Sequence, residues 1–289
     1  MLRQLGVVVH PTRNLDGVLG GLTAWAAEHG AAVGQVRMAG QQREVADPVA
    51  VDDCDLLVAL GGDGTTLTAL HAGAPYSRAV LGIACGSVGV LTSVAGDRVA
   101  EALDLVDSGD WTEIDVPALE IRGDGETTEP AINDLTVIRN GPGQLVVSVT
   151  VDGVLYVRLA GDGLVVATAL GSSAYTMAAG GPILAPGADG MAITPLAPHG
   201  GSSPPLVTGP ESEIELLLDP GHGGLRQEID GRRAALPGER LTVRMRRTYA
   251  KLVQLAGEEP RLTGLRRRGL VTDGPRVLVH DARTGRSPR

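Results

Sequence analysis

Residues 56–70 read LLVALGGDGTTLTAL, an apolar run delivered into a glycine turn that carries a carboxylate and then opens a helix. Leu56, Leu57, Val58, Ala59 and Leu60 are continuous, the pattern of a strand covered on both faces in a parallel sheet. Gly61, Gly62 and Gly64 are expected to take positive φ and to let the backbone approach a ligand. Thr65 and Thr66 begin a helix whose N–H groups and dipole favour an anion. The pattern predicts a phosphate cradle. It differs from the P-loop, which sets a lysine on the phosphates, because the chain's only lysine is Lys251.

Asp63 makes this loop specific. A carboxylate beside phosphate oxygens is repulsive unless a metal bridges them or the carboxylate takes a proton from an incoming hydroxyl. Either case points to phosphoryl transfer. An isolated Asp-Gly would read more simply as an Asx turn. The buried strand, the glycines and the threonine pair weigh toward ligand binding.

The 289 residues allow one large domain or two ordinary ones. With 43% hydrophobic and 20% charged residues the chain is globular, and no run of 18 apolar residues suggests a membrane span. The N-terminal MLRQLGVVVHPTRN reads as a first strand rather than a signal peptide, so a cytoplasmic location is expected. Cys54 and Cys85 are far apart and lie beside apolar residues, the setting of core thiols. A net charge of −9 and 2% aromatic residues argue against nucleic acid as a partner. The basic stretch RLTGLRRRGL, residues 261–270, reads as a helix with a solvated arginine face.

Up to about residue 112, strands alternate with helices. LGVVVH is the first strand, Leu15 to Ala26 carries a helical period closed by Gly30, and Ala31 to Met38 is a second strand interrupted by Gly34. Ala79 to Ala84 is another buried strand and Asp97 to Val106 a helix stopped at Gly109. Such alternation means a parallel sheet with crossover helices and a ligand beyond the strands' carboxyl ends. Thereafter strands stand alone, predicting an antiparallel β second domain. QLVVSVTVDGVLYVRL is its clearest hairpin, with Asp152-Gly153 as the turn, and LTVRMRR turns Leu241, Val243 and Met245 inward. The expected division is 1–112 and 113–256, with 257–289 packing back on the first domain. The end beyond Val277 to Val279 is expected to be mobile.

Residues 160–183, AGDGLVVATALGSSAYTMAAGGPI, place hydroxyls and small residues at a helix start, which suits an anion or ribose site or, equally, tight packing. Among the histidines, His10 ends the first strand near the presumed site. His71 is expected to be partly exposed on the helix after the cradle. His199 either faces a cleft or bonds backbone.

GGDGT, then Asn-Asp, then DGLVVAT-x-x-GSSAY-x-x-x-AGGPI, then PHGGSSPPLV and a late Asp-Gly resemble the NAD kinase family in identity and order. The resemblance spans roughly residues 5–270 and implies an α/β domain, a sandwich-like β domain and a site between them in a homodimer or homotetramer. It implies transfer of a phosphoryl group from ATP, or from polyphosphate, to the 2′-hydroxyl of the adenosine ribose of NAD, with Mg2+ assisting. By motif, Asp63 is the general base, and Gly62, Gly64 and Thr65 belong to the phosphate loop. Asn133 and Asp134 hold ribose hydroxyls. Ser173, Ala174 and Tyr175 line the adenine site with Ser172 and Thr176 beside them. Asp162 meets the nicotinamide amide, within its own subunit or from a neighbouring one, and Asp230 is the late Asp-Gly of the nucleotide site. Departures cluster at acceptor contacts: Asp134 for glutamate, Ala84 for a polar residue, Val90 for an aromatic one, Pro204 for arginine, and Arg232 after Asp230-Gly231. They leave open a paralogue acting on another nucleoside-like or polyol hydroxyl, and a sensor that binds NAD(P) without turnover.

Overall fold

The computed structural model describes residues 1–92, 94–125, 127–258 and 261–284. The first part alternates as the periodicity predicts: β1 Gln4–Val9, α1 Asp16–His29, β2 Ala32–Gln35, β3 Leu56–Gly61, α2 Asp63–Gly73, β4 Ala79–Ala84, β5 Val94–Ala95 and α3 Val99–Ser108. The strands pair in parallel in the order β2-β1-β3-β4. Gly34 does not break β2, because it pairs with Gly6 and leaves the space that Val49 fills. A side chain there would press on Val49.

From Trp111 the chain forms β6 Trp111–Arg122, β7 Thr128–Ala131, β8 Asp134–Arg139, β9 Leu145–Val151, β10 Val154–Gly161, β11 Gly163–Thr168, α4 Tyr175–Ala178 and β12 Met191–Leu196. It continues with β13 Leu206–Thr208, β14 Ile214–Asp219, β15 Leu225–Ile229, β16 Arg232–Ala234 and β17 Arg240–Leu255. Helices α5 Arg261–Arg267 and α6 Pro275–Thr284 follow. The β9–β10 hairpin turns on Asp152 and Gly153 at φ of 50° and 78°, the left-handed pair that matches strand twist.

The described residues make an 11-stranded sheet, whose main path runs β10-β9-β14-β17-β4-β3-β1-β2, and a 6-stranded antiparallel one, β13-β12-β11-β8-β15-β16. The long strand β17 joins the two halves. Its Leu252 pairs in parallel with Val80 of β4, while its Val243 pairs antiparallel with Ile214 of β14 and Ile121 of β6. The change in sequence pattern near residue 112 is therefore a change of strand direction within a shared sheet.

The three larger apolar clusters among the described residues follow from this arrangement. α1 and α3 pack Leu22, Trp25 and Leu103 on one face of the parallel strands, against Leu5, Val7, Val58 and Ile83. α2 packs Leu67 and Leu70 on the other face, where Ile132 and Val116 from the second half join them. Between the two sheets, Val147, Val149, Leu216 and Val243 meet Leu135, Val137, Leu164 and Ile193. Truncating any one of these buried leucines to alanine would cost about 2 to 5 kcal/mol. The second cluster matters most for chemistry, because it fixes α2 and its N-terminal loop against the loop that carries Asn133.

In the C-terminal part, α6 exposes Val277, Leu278 and Val279, and the arginine-rich end at 285–289 expected to be mobile lies outside the described residues.

Candidate active site

β3 runs fully buried into Gly61, and α2 starts at Asp63 with no side chain capping its first turn. None of Gly61, Gly62 and Gly64 adopts the left-handed conformation expected of them; Gly62 is extended at φ −132°. Lack of space accounts for Gly61 alone. A Cβ at 61 would overlap Thr65, one at 62 would touch the Arg13 guanidinium at 3.5 Å, and one at 64 would point into open space.

The Asp63 carboxylate is held by the next loop of the same sheet end. Its Oδ2 accepts the Val90 N–H and its Oδ1 the Leu91 N–H, both at 2.9 Å, with the Thr92 hydroxyl at 3.4 Å. Arg268 Nη1 stands 3.8 Å from Oδ2, and the side chain remains 33% exposed. Four lone-pair sites are available on an ionised carboxylate, so these contacts orient it and still leave acceptor capacity toward solvent. Gly89 is obligatory here, because any Cβ would overlap the Asp63 carboxylate.

Asp63 and Val90 line two different cavities. One, about 420 Å³, is lined by His10, Arg13, Gly62, Asp63, Gly64 and Thr65. The other, about 410 Å³, is lined by Val90, Leu170, Ser173, Ile183, Leu184 and Leu265, and also by Asp115, Asp189 and Arg247. Asp63 thus lines the first cavity while Val90, whose N–H it accepts, lines the second.

The cavity lined by Asp63 carries donors. Arg13 Nη1 bonds the Cys85 carbonyl at 3.1 Å, which sets the guanidinium beside Gly62 and Gly86. His10 Nδ1 accepts the N–H groups of Thr12 and Arg13 at 3.2 and 3.1 Å, so its neutral ring carries the proton on Nε2. Burial, with Arg13 and Arg43 nearby, lowers the pKa of His10 and keeps that ring neutral. Sequence reasoning passed over Arg13. Its only signal was its place just beyond the carboxyl end of the first strand.

The second half brings a further group together. Asp230, 1% exposed, occupies the β15–β16 turn at φ 50° and accepts N–H bonds from Ile132, Asn133 and Asp134 at 3.0, 2.6 and 3.2 Å, and one from His71 Nε2 at 2.7 Å. With four protein donors on it, its carboxylate is saturated. Hydrogen bonds from His71 and from these N–H groups overcome the cost of burial and hold the Asp230 pKa below the ordinary carboxylate value. Asp134 beside it is buried, and burial, reinforced by the Asp230 charge, pushes its pKa up to about 6. His71, expected to be partly exposed, is 18% exposed, with its ring set against the second half through Asp230 and Tyr249.

The GSSAY segment is locked to the same loop. Thr168 Oγ1 donates to the Ile132 carbonyl at 2.7 Å, and Gly171 packs so tightly on the Asn133 carbonyl that a Cβ would overlap it. Ser172 is fully buried, donating to Ala169 O at 2.6 Å and accepting from Leu184 N at 2.9 Å, while the buried Thr176 hydroxyl has no partner. Ser173 lines the second cavity and Tyr175, after Ala174, is 39% exposed. Asp162 stands apart from this group, five residues before Ala167 on β11 or roughly 16 Å along the strand, and pairs with Arg139 at 2.6 Å. The backbone N–H of His199 donates to the Ala160 carbonyl, while its exposed ring meets the Gln144 side chain at 3.3 Å, so the ring bonds a side chain rather than backbone.

Among the described residues no three His, Cys, Asp or Glu side chains are grouped as a metal cage. The lone Asp63 carboxylate fits a Mg2+ carried in on donor phosphates, which usually takes only one or two protein carboxylates.

Comparison with known proteins identifies this arrangement. Family models for the ATP-NAD kinase N-terminal domain and C-terminal domain match residues 17–111 and 132–255. The chain is 37% identical to an NAD kinase of Symbiobacterium thermophilum over 71% of this chain and 75% of that one. It is 33% identical to an NAD kinase of Chlorobium phaeobacteroides over 86% of this chain and 91% of that one. In fold it is similar to yeast NADH kinase complexed with NADH, with TM-score 0.79 at 21% identity, covering 94% and 89% of the two chains. It is also similar to an NAD kinase from Archaeoglobus fulgidus in complex with ATP, with TM-score 0.74 at 24% identity, covering 92% and 98%. The resemblance carried by the spaced motifs therefore holds, and the chain belongs to the NAD kinase family.

Proposed function

We propose that this protein transfers the γ-phosphoryl group of ATP to the 2′-hydroxyl of the adenosine ribose of NAD, giving NADP. The observation that carries the reading is the Asp63 carboxylate on the wall of a cavity that also holds Arg13 and His10, hydrogen-bonded to Val90 on the wall of a second cavity. The donor phosphates suit the first cavity, against Gly62, Gly64, Thr65 and the first turn of α2, with Arg13 and the neutral His10 as donors. Adenine suits the second cavity between Val90, Leu170 and Ser173, where Ala174 and Tyr175 adjoin, and Asn133 and Asp134 approach the ribose.

Asp63 then accepts the proton of the 2′-hydroxyl as its oxygen bonds to the γ-phosphorus and the bond from γ-phosphorus to the bridging oxygen breaks, releasing ADP. The Val90 and Leu91 N–H groups keep the carboxylate oriented throughout. Mg2+ entering with ATP would lessen the charge on the phosphate oxygens. Polyphosphate shares the chemistry of the donor cavity and is the second donor to test. We place the reaction in the cytoplasm, in a homodimer or homotetramer. The distance of Asp162 from its own chain's cluster supports its serving a neighbouring copy. Incubation of the purified protein with NAD, Mg2+ and either donor tests the reading: NADP should accumulate, and its absence with both donors would overturn it.

A further inference from the structure

His71 lies eight residues after Asp63 on α2, about 12 Å along the helix axis, too far to touch the transferring group. It nevertheless sits in a heavily bonded polar cluster. Its Nε2 meets Asp230 at 2.7 Å and its Nδ1 meets the Tyr249 hydroxyl at 2.9 Å, across 159 and 178 residues of sequence.

Asp230 spends its remaining bonds on the backbone N–H groups of Ile132, Asn133 and Asp134, and its own N–H returns to the Asp134 carbonyl. All four of its lone-pair sites are taken, so it can act on a nucleotide only through that loop. The loop is the one bearing Asn133 and Asp134. His71 thus ties the helix of the phosphate loop to the backbone of the acceptor loop through a single buried carboxylate.

We propose that His71 is a positioning residue for the acceptor: through Asp230 it fixes the Ile132–Asp134 backbone so that Asn133 is presented to the ribose. The proposal rests on the reading that Asn133 and Asp134 contact the acceptor. Removing the imidazole leaves Asp230 with three donors in place of four, and the loop loses the partner that anchors its hub to α2. Tyr249, half-way round the same ring, restrains His71 by its T-shaped contact at 5.5 Å and by its hydroxyl.

The test compares the full-length protein with His71→Leu and His71→Gln, using calorimetry with NAD and steady-state kinetics with NAD and ATP. His71→Leu should weaken NAD binding and raise KM for NAD about tenfold, the size of one lost hydrogen bond to a charged group, with KM for ATP changed less than about threefold. His71→Gln, which keeps a donor near the Nε2 position, should recover most of that loss. If His71→Leu does not fold, Tyr249→Phe takes its place and should raise KM for NAD severalfold. Unchanged NAD affinity in the folded variants, an equal rise in KM for both substrates, or a loss confined to kcat would each overturn the proposal. Wild-type protein that binds NAD without forming NADP would refute the kinase reading and leave this test intact, because the calorimetry needs no turnover. Wild-type protein that does not bind NAD would overturn both.

Discussion

Asp63 accepts the Val90 N–H at 2.9 Å, and this bond links a residue lining one cavity of the site to a residue lining the other. The base is oriented by backbone donors of the loop after β4, so the shape of that loop governs the reaction as much as the carboxylate does. Gly89 is its tightest point.

Gly89→Ala tests this dependence. The added Cβ overlaps the Asp63 carboxylate, so either the side chain or the loop must move. We expect kcat to fall about a hundredfold or more, since misplacing a reacting group by 1 Å costs that much. Overpacking should also lower stability by about 1 to 3 kcal/mol, measured by denaturant unfolding. Wild-type turnover would show that the loop is soft enough to make its geometry irrelevant.

Arg13→Ala should separate donor from acceptor. With the guanidinium beside Gly62 and Gly86 gone, the donor phosphates lose a charge-assisted hydrogen bond. KM for ATP should rise about tenfold while KM for NAD stays within about threefold. A rise in KM for NAD alone would place Arg13 on the acceptor side.

Asp134 gives the pH dependence a definite sign. Burial first, then the Asp230 charge, raises its pKa from the usual 3.8 to about 6. Between about pH 4 and 6 the folded protein therefore binds more protons at this group than the unfolded chain, and its contribution to stability declines as pH rises through that window. Asp230 works in the opposite direction at lower pH: its depressed pKa contributes stability that is lost as pH falls through its folded value, below 3.8. Asp134→Asn should remove the decline between pH 4 and 6 and stabilise the protein at pH 7 by on the order of 1 to 3 kcal/mol, at the expense of NAD affinity. Unfolding midpoints at pH 4.5 and 7 for both proteins check this, and an unchanged slope would contradict it.

Much of this architecture could be read from local pattern. Apolar continuity at Leu56 to Leu60 and Ala79 to Ala84, helical spacing at Val18, Leu22 and Trp25, and the Asp152-Gly153 turn each report on a few neighbours and were legible. Gly34 misled because a glycine chosen for close packing looks like one chosen to interrupt a strand. The same confusion of room with rotation produced the expectation of positive φ at Gly61, whereas Gly62 and Gly64 have room for a Cβ and do not take positive φ either.

The site was legible where chemistry sits in one motif, as at Asp63, and illegible where it is assembled across the chain. Nothing beside His71 announces Asp230 or Tyr249, and Arg13 reaches Cys85 from 72 residues away. Arg268 was assigned to a solvated helix face, yet α5 ends at Arg267 and the next residue turns back to lie 3.8 Å from Asp63. Periodicity describes which face a helix hides, and it is silent about a side chain just beyond the helix end.

The most direct measurement is NADP formation by Asp63→Asn, with NAD and ATP binding followed in parallel. The amide has nearly the same size but cannot take the hydroxyl proton, so kcat should fall about 10²- to 10⁴-fold while both nucleotides still bind. Turnover within a few-fold of wild type would contradict the account, because it would mean that the proton leaves by another route.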